Sequence, residues 1–176
     1  MKPNVPHLMV LGLHLMSRGF GWTTYTNPLS IWSWKVVAVG DYTNATTLKR
    51  VQRLIDDMQP ETLILEAFEP PAKRSERHRL LYRAIIAYAV DQGVSVSVLN
   101  RKQVEWCFAR VGARTRQEIA EAVARRSPEL SRLLTKKRRA WDAEDLRMSV
   151  FCAAALVATH YALDADQLLK DLGSAT

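Results

Sequence analysis

The order in which hydrophobic periodicity changes along the chain constrains its fold more than any other feature. Leu8 to Met16 is a short apolar run bounded by Pro6 and Ser17, which favours a buried strand over a helix. Phe20 to Thr26 is aromatic and β-branched, Asn27-Pro28 breaks it, and Ser30 to Val39 resumes in the same style. Three such runs separated by turn residues predict a three-strand meander. The period then becomes helical from Thr46 to Met58, where Leu48, Val51, Leu54, Ile55 and Met58 share a face, and Pro60 closes the segment.

From there strands and helices alternate. Glu61 to Glu66 is a compact apolar strand ending in an acid, Pro70-Pro71 marks a loop, and a helical pattern runs from Ser75 to Gln92. Gly93 ends that helix, Val94 to Leu99 is a β-branched strand, and Arg101 to Arg110 is again helical. Two short helices follow, Thr115 to Arg126 and Pro128 to Leu134. The first is opened by a Thr115 cap with Glu118 three residues on. The spacing predicts a final helix from Asp142 to Leu163. This order implies an α/β layer architecture, in which function collects at the ends of central strands and the helix tips facing them.

At 176 residues the chain has one domain's worth of sequence and the composition of a packed globular protein. Leu8 to Met16 is too short for a membrane span, is interrupted by Gly12 and His14, and is followed by Arg18, so neither a signal peptide nor a membrane role is expected. Cys107 and Cys152 stand far apart without metal-ligand spacing, which fits a reducing cytoplasm and argues against a zinc or disulfide framework. Twenty-five Lys and Arg against eighteen Asp and Glu give a net charge of +7, which favours an anionic partner.

Three distant segments carry the chemistry: Gly12-Leu13-His14-Leu15-Met16-Ser17-Arg18-Gly19-Phe20-Gly21-Trp22, Leu63-Ile64-Leu65-Glu66, and the stretch from Trp141 to His160. Together they resemble the RuvC-type Holliday-junction resolvases of the ribonuclease H-like superfamily, over nearly the whole length from Leu8 to Tyr161. The resemblance implies a mixed five-stranded sheet with helices on both faces and the second strand antiparallel to its neighbours. It also implies a centre of converging carboxylates holding Mg²⁺ or Mn²⁺, action on branched DNA, and a homodimer. Gly12, Leu13, Ser17, Arg18, Gly21 and Trp22 fit the first motif, but His14 stands where the first aspartate belongs. Glu66 fits the second motif. For the third, two registers stay open. Asp142 and Asp145 satisfy the spacing literally, with Glu144 between them; alternatively the small-residue run Ala153 to His160 places Cys152, with Ser149 three residues before it, at the final aspartate. The candidate catalytic residues are therefore His14, Glu66, Asp142 and Asp145, with Glu66 and Asp145 as metal ligands.

Simpler readings compete with these. Glu66 and Glu69 suit a solvated strand end, His14 a satisfied core histidine, and Cys152 a small buried hydrophobe. Asp142, Glu144 and Asp145 are what a first helical turn favours. Two basic clusters flank the acids, Lys73, Arg74 and Arg77 on one side and Lys136, Lys137, Arg138 and Arg139 on the other. With Arg18 they are candidate phosphate contacts. Trp141, Phe68 and Tyr82 could stack on displaced bases. Three functions follow in order: a RuvC-like DNA-binding protein derived from a metal-dependent endonuclease, a non-catalytic nucleic-acid-binding module on the same fold, and a nucleotide-binding or structural α/β domain.

Overall fold

A computed structural model describes residues 8–40, 43–67, 76–139 and 142–174. Within these residues, β1 (Val10–Met16), β2 (Gly19–Asn27), β3 (Ser30–Ala38), β4 (Thr62–Glu66) and β5 (Ser95–Leu99) form one mixed sheet in the order β3-β2-β1-β4-β5. β1 pairs antiparallel with β2 and parallel with β4, and β4 runs parallel to β5. The meander and its antiparallel second strand stand as expected.

The helices are α1 (Asn44–Met58), α2 (Glu76–Asp91), α3 (Arg101–Ala109), α4 (Arg116–Arg126) and α5 (Met148–Ser174), with a 3₁₀ segment over Pro128–Leu133 in place of the second short helix. Alternation along the strands sends side chains to opposite faces. Leu11, Leu13, Leu15, Leu63 and Leu65 pack with Val51, Leu54 and Ile55 of α1 and Leu81, Ile85 and Ala89 of α2. On the other face Val10 and Ile64 meet Phe108 of α3, Ile119 and Val123 of α4, and Val150 to Val157 of α5. Helices therefore cover both faces.

Boundaries agree with the sequence reading to within one or two residues except for the last helix, which begins at Met148 rather than Asp142 and continues to Ser174. Asp142 and Asp145 form turns instead. Asp142 Oδ2 accepts the backbone N–H of Arg139, and Asp145 Oδ1 accepts that of Arg147. Short aspartate side chains bond neighbouring amides more readily in turns than in helix interiors. Met148, Ser149 and Val150 then donate to the carbonyls of Asp145, Leu146 and Arg147, a tight opening turn for α5.

α5 is long and apolar enough to cross a membrane by length and composition alone, yet its first half is core. Two glycines let it press on the sheet. A Cβ on Gly12 would lie 2.5 Å from the Ala153 carbonyl oxygen, and one on Gly21 would lie 2.4 Å from Ser149 Oγ and the Val150 nitrogen. This close approach lowers the start of α5 onto the ends of β1 and β2.

Candidate functional site

Leu13 and Leu65 are register partners on adjacent parallel strands, so the next residues, His14 and Glu66, stand side by side on the face covered by α5. His14 Nδ1 lies 3.1 Å from Glu66 Oε2. His14 is buried, whereas a fifth of the Glu66 side chain remains exposed. The Tyr82 hydroxyl donates to the Glu66 carbonyl at 2.7 Å and anchors the end of β4. Tyr82 thus has a structural task where the sequence admitted a stacking one.

Beside the pair lies a small cavity of about 50 Å³ whose lining includes Arg101, Arg116, Phe151 and Cys152. Burial pushes the Cys152 thiol up to about 12; nearby Arg116 works against this, and Glu66 and Glu144 add to it. The thiol is therefore protonated and uncharged at neutral pH.

Arg116, the first residue of α4, donates to the Glu144 carboxylate. Burial opposes its charge, but Cys152, the bond and charge of Glu144, and the charge of Glu66 outweigh that and raise its pKa above the ordinary arginine value. With Cys152 neutral, Glu144 and Glu66 are the charges that Arg116 answers.

The two registers of the last motif separate in space. Cys152 shares the cavity with His14 and Glu66. Ser149 is fully buried one turn earlier, and its hydroxyl donates to the Leu146 carbonyl. Asp145 lines a groove with His14 and Arg116, but its carboxylate binds Arg147, whose Nη2 approaches to 2.7 Å. That bond, followed by partial burial in opposition and the backbone N–H of Arg147 in support, leaves the Asp145 carboxyl below its ordinary pKa. Asp142 is exposed, its carboxylate accepting the Arg139 N–H and its carbonyl accepting from the Arg138 guanidinium. Asp145 precedes the helix, so it does not continue the helical face on which Ser149 and Cys152 lie.

A pair of hard divalent ions needs three or four carboxylates converging on it. Glu66 faces His14, Glu144 holds Arg116, Asp145 holds Arg147, and Asp142 holds the Arg139 amide. Among the described residues no three His, Cys, Asp or Glu side chains gather as a metal-binding group. The donor set here does not fit such an ion.

Basic residues surround this centre. A groove of about 820 Å³ runs past Arg101, Arg116, Lys136, Lys137, Arg138, Glu144, Asp145 and Arg147. A second, of about 940 Å³, runs past His14, Arg18, His78, Arg116, Glu144 and Asp145. The two share Arg116, Glu144 and Asp145. Arg18 is exposed in the turn between β1 and β2. Arg139 is exposed, and Arg77 is turned toward Asn44, with Nε 3.3 Å from its Oδ1. Lys73, Arg74, Phe68 and Trp141 lie outside the described residues.

Arg116 and Arg101 were not singled out by sequence. One signal was present: the helix macrodipole favours acids in the first turn, yet both α3 and α4 open with arginine directly after the cap. For Arg101 the answering acid is local, Glu105 four residues on, whereas for Arg116 it is Glu144, 28 positions away.

No family model matches the chain, and no curated protein matches it by sequence. Solved structures do. RuvC of T. thermophilus in complex with a Holliday junction substrate aligns over 88% of this chain and 93% of its own, with a TM-score of 0.61 at 18% identity. A second structure of Thermus thermophilus RuvC gives the same values. The Fowlpox virus resolvase, solved with Holliday junction DNA, aligns over 82% of this chain and 94% of its own, with a TM-score of 0.47 at 12% identity. The protein has a ribonuclease H-like α/β fold. Its fold is similar to that of T. thermophilus RuvC, with the second strand antiparallel to its neighbours as the resemblance implied, and Glu66 stands at the end of β4.

Proposed function

We propose that this protein binds branched DNA through the basic grooves meeting at Arg116 and holds it without cleaving it. The observation that carries this reading is the distribution of charge. Arg18, Arg101, Lys136, Lys137, Arg138 and Arg147 line two grooves that converge where β1 and β4 end. Cations spread along a groove neutralise successive phosphates and release counterions, which supplies most sequence-independent affinity. The acids that a nuclease would offer to metal are meanwhile engaged by protein donors. The likeness to T. thermophilus RuvC, solved with a Holliday junction substrate, makes a four-way junction the form of DNA to try first. A homodimer would present two such groove pairs to one junction, and the free thiols of Cys107 and Cys152 suit a reducing cytoplasm.

Fluorescence anisotropy with a labelled four-way junction and a linear duplex, over a salt series, tests the reading. The junction should bind more tightly than the duplex, and affinity should fall steeply with salt. Replacing Lys136, Lys137 and Arg138 by Gln should weaken binding and flatten the salt slope by about one unit per lost contact. Salt-insensitive binding would remove the grooves from the account. Equal affinity for duplex would remove the branched substrate. Nicking that requires Mg²⁺ or Mn²⁺ and disappears in Glu66→Gln would overturn the non-catalytic assignment.

A further inference from the structure

α3 and α4 both direct their N-termini at the cleft, and both begin with an arginine that lines the cavity beside Glu66. Their partners differ. Arg101 Nε reaches Glu105, four residues on in its own helix, at 2.8 Å. Arg116 instead crosses 28 positions to Glu144, in the segment leading into α5. Its side chain is two-thirds shielded from solvent, and its charge also faces Glu66. Opposite stands Cys152, uncharged at neutral pH, on the helix face where the resemblance places a further acid.

We infer that Arg116 is the resident cation of this cleft: its guanidinium supplies the positive charge that Glu66 and Glu144 require, and it excludes divalent metal while it is in place. A divalent ion approaching Glu66 would have to separate Arg116 from Glu144 and then sit beside a like charge. It would find an imidazole nitrogen and a neutral thiol where hard cations need oxygen. A guanidinium cannot be deprotonated in a protein, so raising the pH does not lift the exclusion. This goes beyond DNA binding and stands or falls without any nucleic acid present.

The test is titration of the protein alone with MnCl₂ and MgCl₂, read by calorimetry and by the shift in melting temperature, for the parent, Cys152→Asp, Arg116→Gln and the double variant. The parent should show no saturable binding and no shift. Cys152→Asp should also remain metal-silent, because Arg116 answers the added carboxylate. Arg116→Gln should bind Mn²⁺ saturably and be stabilised by it, and the double variant should bind about tenfold more tightly, since each added carboxylate raises affinity. Circular dichroism checks that each variant folds. Saturable metal binding by the parent or by Cys152→Asp overturns the inference, and so does a folded double variant that ignores Mn²⁺. If the arginine variants do not fold, the parent and Cys152→Asp still decide: metal-silence in both supports the inference, and binding in either refutes it. Junction binding measured in EDTA reads the proposed DNA function independently, so the two can fail separately.

Discussion

Replacing Gly21 by alanine tests whether the seating of α5 on the sheet builds the site. The added Cβ would meet Ser149 Oγ and the Val150 nitrogen at 2.4 Å and the Ser149 carbonyl carbon at 2.5 Å. Two of these are backbone atoms and cannot rotate away, so α5 must retreat by about 0.6 Å to restore even a 3.0 Å contact. A gap of that size forfeits about a quarter of the dispersion attraction across the interface. The face affected includes Val150, Ala153, Ala154 and Val157, all fully or almost fully buried. The combined cost should be about 3 kcal/mol, at the upper end of overpacking losses. For a chain of this length that lowers the melting temperature by about 6–12 °C. Denaturant unfolding should show a reduced midpoint at unchanged slope. Gly40→Ala is the control: among the described residues its Cβ would meet nothing within 4 Å, and its φ is not in the left-handed region. It should be neutral or up to about 1 kcal/mol more stable through reduced unfolded-state entropy. A Gly21→Ala protein within about 0.5 kcal/mol of the parent would refute the reasoning.

Three further outcomes are expected. Thr115 Oγ1 accepts the Glu118 N–H at 3.2 Å, so Thr115→Ala should cost about 1 kcal/mol in chemical denaturation, and an unchanged midpoint would show that the cap contributes nothing. The backbone N–H groups of Arg114 and Thr115 hold the Glu118 carboxyl below its ordinary pKa. Its ionised form therefore stabilises the fold fully above the unfolded-state value, and this is lost as pH falls through the depressed folded value. Glu118→Gln should consequently narrow the difference in melting temperature between neutral and strongly acidic buffer; an unaltered difference would contradict this. Cys152, with its thiol pushed up to about 12, has a thiolate fraction of about 10⁻⁴ at pH 8. In a Cys107→Ser background, Ellman's reagent should label half-buried Cys152 slowly in the native protein and much faster once denaturant is added, and native labelling as rapid as that of the denatured chain would disprove the raised thiol pKa.

The sequence by itself determined the order of elements, the sheet and the strand-end place of Glu66 in the candidate site, because those signals are local. A switch from strand to helical period needs no knowledge of the rest of the chain. The Thr115–Glu118 capping box closes within one turn, with each partner's bond formed as the spacing implied. Glu66 was legible because a short buried strand ends at it, and Gly12 and Gly21 because the motif around His14 retains them. Tertiary structure decided everything that depends on how α5 lands. Asp142 and Asp145 carry the same local helix-start signal whether they open the helix or form turns before it. The close approach of Gly12 to Ala153 and of Gly21 to Ser149, with the packing of Val150 to Val157 on the sheet, sets where the helix meets it. Those contacts put Cys152, rather than Asp145, beside the His14–Glu66 pair. Nor could spacing reveal that Arg116 would answer Glu144 across 28 residues, since the partner of a charge is chosen by packing and desolvation, neither of which is written in the neighbouring sequence.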